Sequence, residues 1–132
     1  MVRGERVLFI SGEFHPFRLY SPGLWFDVLQ KIKAVSFLGV SFSTNWALLE
    51  GTPNEFSADR VLALEGFLKA ATQAGIYLLA WPAPCINSKV SGGGYSGWAF
   101  RIKDPSRKNA TDWLDATRSY IQSVGAIILF QP

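Results

Sequence analysis

The sequence predicts an α/β fold whose strands run parallel. Three observations carry that expectation. Short, almost wholly apolar runs recur at Val7–Ile10, Phe37–Phe42 and Ile76–Ala80. Each run is followed by a segment with a single apolar helical stripe. Polar residues with chemical potential then gather just after the runs. Strands that read as continuous apolar runs belong to sheets covered on both faces, and their alternation with amphipathic helices is the pattern of βα units. At 132 residues and 48% hydrophobic, the chain suits one small domain and is too apolar for a disordered one.

The elements follow in order. Val7–Ile10 is the first strand, ending at Ser11-Gly12. Ser21-Pro22 offers a helix start, with serine as the cap and proline at the first helical position. Leu24, Trp25, Val28, Leu29 and Ile32 then fall on one face, with Asp27 early and Lys31 and Lys33 late, as the helix dipole favours. Phe37–Phe42 is a buried strand despite Gly39. A loop from Ser43 to about Phe56 carries the turn signal Gly51-Thr52-Pro53-Asn54. Ser57 or Asp59 can cap the second helix, whose stripe is Val61, Leu64, Phe67, Leu68, Ala71 and Ala74 and whose stop is Gly75. Ile76–Ala80 is the third strand, broken by Pro82 and Pro84. After a long loop from Trp81 to about Trp98, a third helix begins near Thr111. Its inward residues are Trp113, Leu114, Thr117, Tyr120, Ile121 and Val124. Ile127–Phe130 reads as a closing strand. Three and a half repeats fall short of the ~200 residues of a complete (β/α)₈ barrel, so the expected architecture is a partial TIM barrel of about the first three to four βα units.

Composition excludes several classes. No apolar run approaches the ~20 residues that span a bilayer, so no membrane partner is expected. Val7–Ile10 is shorter than the ~7–15 residues of a secretion-signal core, so no signal peptide is expected within this chain and any export signal would lie upstream. A net charge of +3 spread over thirteen scattered Lys and Arg residues gives no nucleic-acid stripe. One histidine and one cysteine are too few for a zinc site or an intrachain disulfide, and no cofactor is implied.

Among the motifs, Glu13 and His15 would form an acid and base if they faced one pocket. The plainer reading is a structural loop whose histidine is hydrogen-bonded, and it is preferred. Ser91-Gly92-Gly93-Gly94 lacks the Lys-Ser/Thr ending of a phosphate loop, and a sharp turn beneath Trp98 explains its glycines better. Trp25 and Trp113 belong to helix faces. Trp46, Trp81 and Trp98 lie after strands, where a flat ring can stack on a sugar or build local core. Asn109-Ala110-Thr111 fits an N-glycosylation acceptor. A retaining glycosidase needs two carboxylates about 5–5.5 Å apart, and none of the ten acids forms such a pair by position.

Longer stretches add a resemblance. Ser11-Gly12-Glu13-Phe14-His15-Pro16-Phe17-Arg18-Leu19 and Leu24-Trp25-Phe26-Asp27-Val28-Leu29-Gln30-Lys31-Ile32-Lys33-Ala34 resemble the opening of fungal β-galactosidases of glycoside hydrolase family 35. Val40-Ser41-Phe42, Trp46-Ala47-Leu48-Leu49-Glu50-Gly51, Ala74-Gly75-Ile76-Tyr77-Leu78-Leu79-Ala80 and Val90-Ser91-Gly92-Gly93-Gly94 continue the likeness across nearly the whole chain. The resemblance implies a TIM barrel, a retaining mechanism on terminal β-linked galactose, and secretion. The family's acid lies in a segment resembling Gln-Pro-Glu-Asn-Glu-Tyr, and this chain ends at Gln131-Pro132, so no catalytic residue is assigned. Residues 1–132 are read as an N-terminal fragment of the catalytic domain, inactive alone. For substrate binding the resemblance implies Asn87, reaching a sugar hydroxyl, and Ser88, through its backbone. Ser43 stands where the family has tyrosine, and Lys89 where it has a carboxylate, which removes an acceptor and reverses the charge. Set against the family pattern, about a dozen residues are also absent after Ile128, as in a degraded gene copy or mis-spliced gene model.

The expected partner is a β-galactoside. The alternatives are a non-catalytic galactose-binding remnant and a structural remnant with no ligand. Self-association of an incomplete barrel is expected in either case.

Overall fold

The structure, a computed structural model, describes residues 4–59, 62–103 and 109–129. In chain order its elements are β1 (Ser11–Glu13), α1 (Trp25–Ala34), β2 (Gly39–Ser43), α2 (Trp46–Leu49), α3 (Leu64–Ala74), β3 (Tyr77–Trp81) and α4 (Thr111–Leu129). The strands form one sheet in the order β1-β2-β3, both pairs parallel, with Ser11 opposite Gly39 and Gly39 opposite Tyr77. The α/β class with parallel strands is therefore present as two successive βα crossovers.

The helix entries follow local chemistry. Ser21-Pro22 opens a 3-10 turn, Pro22–Leu24, rather than the α-helix itself, and the Ser21 side chain makes no capping bond. The tighter turn moves Leu24 off the buried face, leaving it half exposed, while Trp25 and Leu29 are fully buried. At α3 the cap position is Ala63; Ser57 Oγ donates to Asp59 Oδ2 instead, in the preceding turn. Val61 lies outside the described residues. Gly75 ends α3 with φ +64°, the left-handed conformation in which a glycine costs least.

Two strand expectations are corrected. The first ladder begins at Ser11, not Val7. Ser36, at φ +71°, is still turning the chain out of α1, so β2 starts only at Gly39 and offers residues 7–9 nothing to pair with. Leu8 is accordingly 80% exposed. Phe9 instead lays its ring over Gly39, where a Cβ would collide with it, and this accounts for a glycine inside β2. Ile127–Leu129 is not a strand but the last turn of α4, because Trp113, Tyr120, Val124 and Ile127 keep one helical stripe. Phe130 lies outside the described residues. Leu114 and Ile121, expected inward, fall on the exposed side of that stripe.

The sheet is also covered on one face rather than two. Val40 and Phe42 point toward α1 and α3 and join Trp25, Leu29, Phe67 and Ala71 in the core, with Phe42 and Trp25 each edge-on to Phe67. The opposite face carries Tyr77, Leu79 and Trp81, all about half exposed, which is why β3 alternates in burial. The same core continues beyond the strand ends. There Trp46, wholly buried, stacks on Tyr120 and meets Trp98, Trp113 and Tyr95 at steep angles. No helix among the described residues is long and apolar enough to cross a membrane.

Candidate functional site

Parallel strands place the residues that follow them along one rim of the sheet, and binding residues of α/β folds concentrate on such C-terminal rims. Here the rim brings together Glu13 at the end of β1, His15 two residues on, Ser43 at the end of β2, Trp81 at the end of β3, and Lys89 from the loop beyond. Lys89 Nζ donates to Glu13 Oε1, and at 3.2 Å to Ser43 Oγ. It also lies 5.9 Å from the centre of the Trp81 ring, within reach of a weak cation–π attraction. Arg18 donates to the Lys89 carbonyl at 2.7 Å, tying the loop back to the first strand's exit.

His15 is buried. Its Nδ1 accepts the backbone N–H of Ser43 at 3.1 Å, which leaves the proton of the neutral ring on Nε2, 3.4 Å from Glu13 Oε1. Its ring stacks on Phe17. Burial pushes its pKa below the ordinary 6.5, and the Lys89 ammonium adds to that against the opposing pull of Glu13. The imidazole is therefore neutral at pH 7, a partnered structural histidine. Glu13, half exposed, is held below its ordinary 4.5 chiefly by its hydrogen bond from Lys89. The reversed charge at position 89 thus meets a carboxylate supplied by β1, a compensation the sequence did not reveal.

The other singled-out residues separate. Asn87 and Ser88 are exposed and share a 3-10 turn with Lys89. Asn87 takes φ +52°, a conformation asparagine tolerates, and Cys85 Sγ lies 3.6 Å from its Oδ1. Of the three tryptophans after strands, Trp46 is core. Trp98 is half buried and donates to the Glu50 carbonyl at 3.0 Å, so Trp81 alone of the three leaves its ring half exposed. Ser91–Gly94 forms a tight turn with Gly92, Gly93 and Gly94 all left-handed. The Gly93 carbonyl accepts the Ile86 N–H at 2.8 Å, so the glycines close a chain reversal there.

One polar residue escaped the sequence reading. Glu50 is 3% exposed; its Oε2 accepts from Trp46 Nε1 at 2.8 Å and its Oε1 from the Asn54 N–H at 2.9 Å. The i, i+4 spacing of Trp46 and Glu50 on the short helix α2 was the available signal. Asp27 and Asp115 pair with Lys31 and Arg118 on their own helices. The strand-end cluster therefore holds one carboxylate, one ammonium, a neutral imidazole, a hydroxyl and an aromatic face. Among the described residues no three His, Cys, Asp or Glu side chains converge as a metal would need.

Comparison with known proteins gives a consistent picture. The family model for glycosyl hydrolases family 35 matches residues 1–130. The chain is 52% identical over 127 residues to a probable β-galactosidase E of Aspergillus fumigatus, covering 96% of this chain and 13% of that protein. It is 50% identical over 143 aligned positions to a probable β-galactosidase A of Neosartorya fischeri, covering 99% and 14%. It is 47% identical over the same length to a β-galactosidase of Aspergillus niger, again covering 99% and 14%. The chain thus spans about a seventh of the length of these relatives. Since 143 positions exceed the 132 residues available, at least 11 of them have no counterpart here. The fold is similar to that of an exo-β-1,4-mannosidase from Opitutaceae bacterium strain TAV5, with a TM-score of 0.76 at 16% identity over 96% of this chain and 23% of that one. It is also similar to a GH5_18 protein from Streptomyces cattleya solved in complex with GlcNAc, with a TM-score of 0.66 at 15% identity over 93% and 31%.

Proposed function

The chain belongs to glycosyl hydrolase family 35, and from that premise we propose that its strand-end cluster is one wall of a galactoside site in a β-galactosidase barrel. The observation that carries the proposal is the convergence of Glu13, Ser43, Trp81 and Lys89 at the C-terminal ends of three parallel strands. That is the end at which (β/α)₈ enzymes bind their substrates. In this reading the 132 residues are the first three to four βα units of a catalytic domain. The half-exposed row Tyr77, Leu79 and Trp81 is the part of the sheet that faces a barrel interior.

Roles follow from donor and acceptor chemistry. The Asn87 amide can both donate to and accept from a sugar hydroxyl. Ser88 offers its backbone, and the Trp81 ring offers an apolar face to the C–H side of the pyranose. Lys89 and Ser43 present donors where they are not engaged with each other and with Glu13. Retaining hydrolysis needs a proton donor and a nucleophilic carboxylate about 5–5.5 Å apart. This cluster has one carboxylate, already paired with an ammonium, so the wall binds and does not cleave. Export of the parent protein belongs to the same proposal. Asn109, exposed just ahead of α4, is then the acceptor for an N-linked glycan.

The test is a titration of the purified chain with methyl β-D-galactopyranoside, read by saturation-transfer NMR. Saturable transfer that disappears in Asn87→Ala supports the galactose wall. A flat titration of the unsubstituted chain leaves a structural remnant without a ligand and sinks the proposal. Release of nitrophenol from a β-galactoside by these residues alone would contradict the division between binding and cleavage.

A further inference from the structure

We propose that the strand-end rim selects a galactoside whose ring carries a carboxylate, a β-linked galacturonic acid, and that Arg18 and Lys89 are the residues that select it. The proposal rests on the galactoside reading above and adds to it a substrate class.

The rim is richer in donors than in acceptors. Lys89 Nζ gives two of its three N–H groups to Glu13 and Ser43, and one is left over. Arg18 stands exposed and gives one N–H, at 2.7 Å, to the Lys89 carbonyl, out of the five that a guanidinium has. Asn87, in the same turn as Lys89, adds the N–H groups of its amide. Against these donors stands one carboxylate. Glu13 Oε1 already faces both Lys89 Nζ and His15 Nε2. A sugar hydroxyl has to donate as well as accept. A carboxylate only accepts, and the leftover donors suit it without undoing the Lys89–Glu13 pair.

Charge points the same way. Among the described residues Glu13 answers Lys89, while no carboxylate lies within ion-pair reach of Arg18. With His15 neutral, Lys89 and Arg18 against Glu13 leave the rim one positive charge. The field of Arg18 covers both neighbours. It adds to the Lys89 hydrogen bond in holding Glu13 below its ordinary value, and to burial in holding His15 below its own. These cations are partly open to solvent, so the selection is modest in size.

The experiment is a saturation-transfer NMR titration of the full chain at neutral pH with three probes. These are methyl β-D-galactopyranoside, methyl β-D-galactopyranosiduronate, and the uncharged methyl ester of that acid. The expected result at low ionic strength is that the acid binds about threefold tighter than either neutral probe, the scale of one exposed ion pair. The preference shrinks at about 0.15 M salt, where such attractions are screened. Arg18→Gln, which can still donate to the Lys89 carbonyl, removes the preference, and Arg18→Lys, which keeps the charge, retains it. Lys89→Met also removes it. Should Lys89→Met fail to fold, the acid-against-ester comparison and the two Arg18 variants decide. Equal affinity for acid and ester, in a chain that binds methyl β-D-galactopyranoside, overturns the selection and leaves the galactoside wall standing. A preference that survives in Arg18→Gln overturns the part given to Arg18. Absence of binding by all three probes sinks the wall itself, and the selection with it.

Discussion

Glu50 is a buried carboxylate that accepts two hydrogen bonds, and replacing it by glutamine tests whether it holds the post-strand loops. Its two carboxylate oxygens serve two donors, Trp46 Nε1 at 2.8 Å and the Asn54 N–H at 2.9 Å. In Glu50→Gln one oxygen remains. It can serve either donor, and the new NH₂ is then turned against the other. A hydrogen bond to a charged group contributes about 1.5–3 kcal/mol, and an orphaned buried donor costs about as much. The expected loss of stability is therefore about 1.5–3 kcal/mol. In a Trp46→Phe background the indole N–H is already gone, so glutamine can face its oxygen to Asn54 and its amino group to the vacated space. The double-mutant cycle should thus show a coupling of about 1–2 kcal/mol. Urea unfolding followed by far-ultraviolet circular dichroism measures it, since fluorescence would be compromised by loss of a tryptophan. An unchanged midpoint in Glu50→Gln, or a coupling within about 0.3 kcal/mol of zero, would refute the reasoning.

Three further outcomes are expected. Folded His15 holds its proton less tightly than the unfolded chain does, so its contribution is full above pH 6.5 and is lost as pH falls through the folded value; Glu13 adds a loss of the same sign below 4.5. His15→Asn, whose oxygen can still accept the Ser43 N–H, should flatten thermal stability as pH falls below 6.5 relative to the parent, and an unaltered slope would show that another group titrates there. Gly94→Ala should cost about 1–3 kcal/mol in chemical unfolding. Gly94 has φ +77°, and a Cβ there would lie 2.7 Å from Cγ1 of the buried Ile86, whereas Gly97→Ala, with nothing within 4 Å, should be nearly silent. The open sheet face carrying Tyr77, Leu79 and Trp81 should drive self-association in size-exclusion chromatography, which Leu79→Lys should reduce; a monomeric elution of the parent at high concentration would count against this.

The fold class was legible because the helix stripes and apolar runs are strong periodic signals. Trp25 with Leu29, Phe67 with Ala71, and Trp113 with Tyr120 and Val124 all fell inward as read. Boundaries failed where a neighbour, not the local sequence, decides. Val7–Ile10 has the composition of a strand, yet strand pairing begins where β2 begins, and that depends on how α1 ends. Ile127 and Ile128 have the β-branched character of a strand, yet they continue a helical stripe whose start lies fourteen residues back at Trp113. α2 was missed because four residues are too few to show a period.

The candidate site shows the same division more sharply. Position 89 was singled out as a change of charge, but its consequence depends on Glu13, 76 residues away, and nothing local to either residue announces the pairing. What brings them together is strand order. β1 and β3 both flank β2, so the loop leaving β3 can reach back across Ser43 to the end of β1. A lysine in that loop is then neutralised rather than stranded, and the pair occupies donor and acceptor capacity that a ligand would otherwise use. In the proposed galactoside site a sugar would therefore compete with the Lys89–Glu13 pair. Asn87, exposed in the same 3-10 turn as Lys89 and outside that pair, keeps its amide N–H groups for a hydroxyl while its Oδ1 accepts from Cys85 Sγ.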